Sequence, residues 1–152
     1  MKKVFLTFGL ILFFFNLKAQ EAETPNDLHL IQKILNFYID GQATGDSAMI
    51  AQAFHASWQL KVAYDGKFEE EKKNEYLVGY KKREKPKTWS GRIVSIEITN
   101  NIAVAKVEIS NSKNLFTDYF NLLKTTEGWF IVDKIATYTP HKIVEVPAKP
   151  KE

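Results

Sequence analysis

The sequence predicts an α+β domain: a curved antiparallel sheet backed by about three N-terminal helices, shaped to enclose a small molecule. Three observations carry this. Trp89 to Tyr138 reads as four strands joined by turns at Asn100-Asn101 and Glu127-Gly128. Apolar residues at helical spacing dominate the chain before Phe54. Between these regions an alternating strand runs into Asp65-Gly66, a strong hairpin signal. At 152 residues, the chain fits one domain.

Residues 1–20 read as a signal peptide preceding that domain. Lys2 and Lys3 form a basic start, Val4 to Phe15 is nearly all apolar, and Asn16 to Gln20 leads into polar sequence. The apolar run is short for a membrane span, so cleavage near Ala19 or Gln20 and a secreted or periplasmic product are expected, with no membrane attachment afterwards. Lys2, Lys3 and Lys18 leave with the leader, which turns 21 basic against 18 acidic residues into an even balance. Nucleic-acid binding, which needs a basic surplus, is not expected. The cluster Lys81-Lys82-Arg83-Glu84-Lys85-Pro86-Lys87 reads as a solvated helix end in preference to an anion site. With no Cys, the fold rests on its core, and a 45% hydrophobic composition is enough to build one.

Thr24-Pro25-Asn26-Asp27 has the pattern of a helix start, with Asp27 at the capping-box position. Leu28, Ile31, Ile34, Leu35, Tyr38 and Ile39 then share one face, and Gly41 and Gly45 close the helix. Asp46 caps a short second helix carrying Met49, Ile50, Ala53 and Phe54. Trp58, Leu60, Val62 and Tyr64 alternate as a half-buried strand, which turns at Asp65-Gly66 into a brief return strand over 67–69. Residues 70–83 read as a third helix with Tyr76, Leu77 and Tyr80 on one side, ended by Pro86.

In the next hairpin, Asn100-Asn101 pairs Ile98 with Ala103, Ile96 with Ala105 and Val94 with Val107. Its apolar face holds two alanines, whose missing volume either receives a helix or floors a cavity. In the last hairpin, Gly128 serves a three-residue loop that sets Leu123 opposite Ile131 and Tyr119 opposite Ile135. Trp129 and Asp133 then share that face. Asp118, Phe120, Leu122 and Lys134 share the other. Both faces carry aromatics, so helices are expected over one and a second subunit over the other. Beyond Pro140 the chain is polar, with Ile143 to Val146 as an optional edge strand.

Tyr38, Gly45-Asp46, Phe54 and Gly128-Trp129-x-Ile131-Val132 resemble the nuclear transport factor 2-like superfamily. Phe116 to Lys124 (FTDYFNLLK), with Phe54-His55-x-x-Trp58, is similar to its exported bacterial branch labelled putative lumazine-binding. The resemblance covers residues 21–139, with 140–152 as a C-terminal extension. It implies a cone of bent antiparallel sheet closed by three helices (a cystatin-like α+β roll), a pocket between them, and a homodimer through the outer sheet face. Members include dehydratases, cyclases, isomerases and proteins without chemistry, so the fold leaves function open.

The superfamily's ketosteroid isomerases use a tyrosine on the first helix, a carboxylate base on the first strand and a protonated acid on a later strand. The resemblance puts Tyr38 at the tyrosine position and Val62 at or near the base position. Neither Val62 nor Ala63 takes a proton, and Asp65 belongs to its turn, which weighs against an isomerase. His55 is the remaining candidate base, although a lone histidine past a helix end is more often a surface residue. Asp118 and Asp133 are candidate acids if buried, against outward pairing to Lys124 or Lys134. Trp58, Tyr80, Trp89 and Tyr119 supply aromatic surface for a flat, pterin-like ring, although aromatics in strands more often build plain core. Tyr38 and His55 complete the candidate binding set. His29, His55 and His141 lack metal-ligand spacing, there is no phosphate loop or nucleophile motif, and no cofactor is implied.

Three functional readings follow. In the first, the domain binds a small, flat aromatic molecule and carries out no chemistry. A dehydratase or isomerase using His55 with Tyr38 or an aspartate is the second. The third is a structural or interaction domain whose cone is filled by its own side chains.

Overall fold

A computed structural model describes residues 25–142 of the chain. Thr24, the leader at 1–20 and the optional strand at 143–146 lie outside the described residues. Helix α1 (Pro25–Thr44) buries Ile31, Leu35, Tyr38, Ile39 and Ala43, while Leu28, expected on that face, is exposed. Thr24, the cap partner predicted for Asp27, lies outside the described residues, and Asp27 has partners farther along the chain. Its carboxylate accepts hydrogen bonds from Lys124 Nζ at 2.7 Å and Trp129 Nε1 at 3.1 Å, which ties the start of α1 to a distant hairpin. Gly41 does not end the helix; it lets a second helix come close, since a Cβ there would lie 2.6 Å from Ile50 Cγ1. Gly45, with φ +64°, ends it, as only a residue without Cβ does cheaply.

Asp46 caps α2 (Ser47–Ala53) as predicted, accepting from the amides of Ala48 and Met49 at 3.1 and 3.2 Å. Phe54, assigned to this helix from sequence, instead opens β1 (Phe54–Tyr64). Asp65 and Gly66 both take positive φ, the mirror-image turn that matches strand twist, and the chain returns as β2 (Lys67–Lys72). β2 is longer than expected because Glu70 and Glu71 pair with Lys61 and Leu60. The third helix is correspondingly short: α3 spans Lys73–Val78 rather than 70–83. Residues 79–89 cross the end of α1 irregularly, where the Arg83 amide donates to the Thr44 carbonyl at 2.8 Å. The basic cluster is therefore a loop and not a helix end.

The remaining strands are β3 (Ser90–Thr99), β4 (Ile102–Ser110), β5 (Asn114–Thr125) and β6 (Gly128–Pro140). Ile98 pairs with Ala103 and Ile96 with Ala105, as predicted. A bulge then places Ile93, in place of Val94, opposite Val107, and Val94 turns outward. In the last hairpin the loop is Thr126-Glu127, closed by Thr125 against Gly128. Leu123 thus faces Phe130 and Leu122 faces Ile131, which corrects the predicted Leu123–Ile131 pair. A bulge at Val132 restores the expected Tyr119–Ile135 pairing beyond it. Trp129 and Ile131 consequently point inward with Phe120 and Leu122, and not outward with Tyr119.

The six strands form one sheet in the order β2-β1-β6-β5-β4-β3, with β1 parallel to β6 and every other pair antiparallel. Its inner face meets α1 and α2 over a core that includes Phe54, Trp58, Val107, Phe120 and Ile131. Ala103 and Ala105 are buried and neither lines the cavity, so the room they leave is filled by packing. Toward the β1–β2 end, between α1, α3 and the 79–89 loop, the cone stays hollow. Among the described residues no helix is long and apolar enough to cross a membrane.

Candidate functional site

Strand alternation puts Asp118 and Phe120 of β5 on the inner face, and the bulge at Val132 turns Lys134 of β6 onto that face too. Helical spacing brings Tyr38 and Gln42 of α1 over them, one turn apart. α3 supplies Tyr76 from the side. Phe120 packs into the core behind them, and the others line a cavity of about 630 Å³.

The polar groups form one connected network. Tyr38 donates its hydroxyl proton to Asp118 Oδ2 at 2.6 Å. Lys134 Nζ donates to the Tyr38 oxygen at 3.0 Å and to the Tyr76 oxygen at 3.1 Å, and lies 3.7 Å from Asp118 Oδ1. Gln42 Nε2 also donates to the Tyr76 oxygen. Asp118 and Lys134 are the buried charged residues of the described chain, at 3% and 4% exposure. Taking charges out of water is costly, and mutual pairing with tyrosine hydrogen bonds offsets that cost. The Lys134 ammonium also sits 4.7 Å from the Tyr76 ring centroid and 5.2 Å from that of Tyr38, a cation held against two aromatic faces.

Burial pushes the hydroxyls of Tyr38, Tyr76 and Tyr80 above the usual tyrosine range, and the Asp118 charge adds to the effect on Tyr38. All three therefore keep their protons at physiological pH. The cavity wall is otherwise apolar and aromatic, with Leu60, Val62 and Trp89 among its members. Its rim is polar, with Arg83 from the 79–89 loop and Asn111, Ser112 and Lys113 from the β4–β5 turn.

Of the residues singled out from sequence, Tyr38, Tyr80, Trp89 and Asp118 line the cavity. Trp58 is buried behind it, stacked on Phe54 at 4.0 Å between centroids and 4.9 Å from Tyr76. His55 lies outside, half-buried, its Nδ1 2.8 Å from the Ser57 hydroxyl and its ring edge-on to Phe130. Tyr119 and Asp133 are on the outer face, where Asp133 pairs with Lys61 at 2.7 Å. Sequence reasoning missed Gln42, Tyr76 and Lys134 as site residues, and Arg83 and Lys113 at the rim. One signal for Lys134 was present: it shares a predicted face with Asp118 and otherwise mostly large apolar residues. Among the described residues no group of three His, Asp or Glu side chains is placed to hold a metal ion.

Comparison with known proteins agrees with this architecture. The family described as Putative lumazine-binding matches residues 26–137. A nuclear transport factor 2-like protein of unknown function from Shewanella baltica OS155 superposes with a TM-score of 0.70 at 24% identity, covering 79% of this chain and 99% of its own. One from Methylobacillus flagellatus KT gives 0.66 at 26%, covering 78% and 95%. A ketosteroid isomerase-like protein from Erwinia carotovora atroseptica SCRI1043 gives 0.56 at 12%, covering 75% and 97%, a likeness of fold alone. No curated protein matches the chain.

Proposed function

The chain belongs to the Putative lumazine-binding family of the nuclear transport factor 2-like superfamily, and from that premise we propose an exported domain that holds a small, flat, partly aromatic molecule without transforming it. The carrying observation is the hollow cone, about 630 Å³, walled by tyrosines over the buried Tyr38–Asp118–Lys134 network. That volume suits a ligand of one to three fused rings. The family's description supplies the ligand class.

Binding over turnover is supported by the engagement of the cavity carboxylate among the described residues: Asp118 already holds the Tyr38 hydroxyl at 2.6 Å and lies 3.7 Å from Lys134. Val62, at or near the position where the resemblance puts the isomerases' base, lines the cavity as an apolar side chain. His55 is outside, and the wall tyrosines are held protonated. A second reading, an isomerase or dehydratase, draws support from Asp118, the carboxylate of the cavity wall, at 2.6 Å from Tyr38. Turnover of any substrate that Asp118→Asn abolishes would favour that reading. Export is supported by the basic and apolar leader, and pairing of two copies by the exposed outer-face side chains Ile102, Val104, Tyr119, Leu123 and Ile135.

Thermal unfolding of the purified protein with a panel of pterins, lumazines and flavins tests the binding reading. Binding raises the midpoint as RT ln(1 + [L]/Kd) predicts. A Val62→Trp variant, which fills the cavity, should lose the rise. No shift with any compound, together with no molecule released on denaturation, would end the reading.

A further inference from the structure

We propose that the ligand of this cavity is an anion with an acceptor-rich edge: a flat heteroaromatic ring whose carbonyls or ring nitrogens meet the inner network and whose acidic group lies at the rim near Arg83 and Lys113. This rests on the binding reading above and names the chemistry that the site selects.

Charge is the first support. The wall carries Arg83, Lys113 and Lys134 against one carboxylate, Asp118. Asp118 is already matched by Lys134 at 3.7 Å and by the Tyr38 hydroxyl at 2.6 Å. Arg83 and Lys113 form no ion pair among the described residues. Arg83 spends one guanidinium N–H on the Gln42 carbonyl at 3.0 Å, which steadies it at the rim and leaves its other donors unspent. The rim cations come from two separate segments, the 79–89 loop and the β4–β5 turn, so they converge only in the fold. Lys85, from the same loop as Arg83, lies 5.4 Å from the Trp89 ring centroid but is not part of the wall. Glu71, half-buried on β2, is close enough to feel Lys134 but is not part of the wall. The formal charge of the cavity wall is positive, although the chain without its leader is balanced.

Hydrogen-bond counting is the second support, and it is independent of charge. Lys134 has three N–H groups. Two go to tyrosine oxygens at 3.0 and 3.1 Å, and the third has Asp118 Oδ1 only at 3.7 Å, beyond bonding range. The Tyr76 oxygen accepts from both Lys134 and Gln42, and its own proton has the Tyr38 oxygen only at 3.5 Å, with the Tyr80 hydroxyl beside it. Burial keeps that proton on Tyr76. The inner wall therefore offers spare donors, and a ligand that satisfies it brings acceptors. An arginine and a lysine at the rim suit an oxyanion, the arginine with fork geometry.

Isothermal titration of the folded protein with pterin-6-carboxylate and with neutral pterin tests this, because the two differ in the acid alone. The carboxylate should bind at least tenfold more tightly at low salt, and its advantage should shrink as salt rises. The Arg83→Gln/Lys113→Gln double variant should lose most of that advantage while still binding pterin. Both side chains are exposed, and an unchanged unfolding midpoint checks the fold; Lys67→Gln, exposed on β2, should keep the full ratio. Against 2-naphthoate, which has the acid but no ring acceptors, pterin-6-carboxylate should again bind at least tenfold more tightly. Equal binding of pterin and its carboxylate, or a ratio the double variant leaves intact, overturns the anion while leaving a binding cavity. Equal binding of naphthoate overturns the acceptor edge. If neither pterin binds and no compound shifts the midpoint, the binding reading fails and takes this one with it.

Discussion

Two lysine–aspartate pairs lie on opposite faces of the same sheet, and the shorter one matters less. Lys61 and Asp133 meet at 2.7 Å on the outer face, with side chains 35% and 20% exposed. Lys134 and Asp118 are 3.7 Å apart on the inner face, at 5% and 4%. Asp133 and Lys134 are neighbours in β6, sent to opposite sides by strand alternation. Water screens the outer pair and can replace either partner, so its contribution is small despite good geometry. The inner pair has no such replacement. Each charge depends on the other and on the tyrosines, so burial and not distance ranks the two.

The largest test of this contrast is Asp118→Ala, which leaves the Lys134 ammonium buried and unmatched. A loss of about 3–5 kcal/mol in urea unfolding is expected. The Asp118→Leu/Lys134→Met double variant should recover most of it, since what costs is the orphaned charge and not the missing pair. If the single variant costs less than the double, the inner site is wetter than its burial implies.

Next in size is Tyr38→Phe, which takes the 2.6 Å donor from Asp118 at almost constant volume. The expected loss is about 1–3 kcal/mol, the cost of an unmet buried acceptor. Because Tyr38 also accepts from Lys134, its effect and that of Asp118→Ala should be strongly non-additive in a double-mutant cycle.

The pH limits of stability separate the buried tyrosines from the partly exposed carboxylates by sign. The inner tyrosines have folded pKa values raised above their unfolded value of 10.0, chiefly by burial. Their contribution is complete below pH 10.0 and lost as pH rises beyond it. The surface carboxylates Asp27, Asp46 and Glu108 are held below their ordinary values of 3.8, 3.8 and 4.5 by Lys124, Lys82 and Arg92 in turn. What they contribute is present above those values and lost as pH falls through the lowered ones. Urea midpoints scanned from pH 2 to 11 should therefore fall at both ends. In Tyr76→Phe the alkaline fall should weaken while the acid fall stays.

The smallest effect belongs to the outer pair. Lys61→Met should change stability by about 0–1 kcal/mol, and 1 M salt should erase the difference. A larger loss would mean that a second subunit covers this face, and sedimentation of the same variant would then show a shift toward monomer.

Much of the fold was legible because it is written in local chemistry. Asp65-Gly66 and Asn100-Asn101 predicted their turns, and Asp46 its cap, from what those residues do within two or three positions. The bulges at Val94 and Val132 were not legible. A bulge adds one residue to one strand, and nothing in Val94 or Val132 themselves announces it, yet the residues on one side of it change face: those before Val94 in β3, and those between the turn and Val132 in β6. That is why Trp129 and Ile131 were placed with Tyr119. The third helix was overextended for a related reason: Glu70 and Glu71 suit a helix, and only pairing with β1 makes them strand.

The candidate site divides along the same line. Tyr38, Tyr80, Trp89 and Asp118 stood out as residue types, while Tyr76, Gln42 and Arg83 looked like ordinary helix or surface positions. Asp118 and Asp133 were indistinguishable from sequence because their difference is one of environment.

The chain by itself determined its fold class, its hairpins, the cap of α2 and the identity of the polar groups available, since propensity, turn chemistry and alternation act over a few residues. Only the tertiary structure decided which face each group reached, that β1 lies parallel to β6, and that Tyr38, Asp118 and Lys134, 80 and 96 positions apart from the first, meet in one buried network. Desolvation and pairing depend on what surrounds a group in space, and sequence neighbours say little about that.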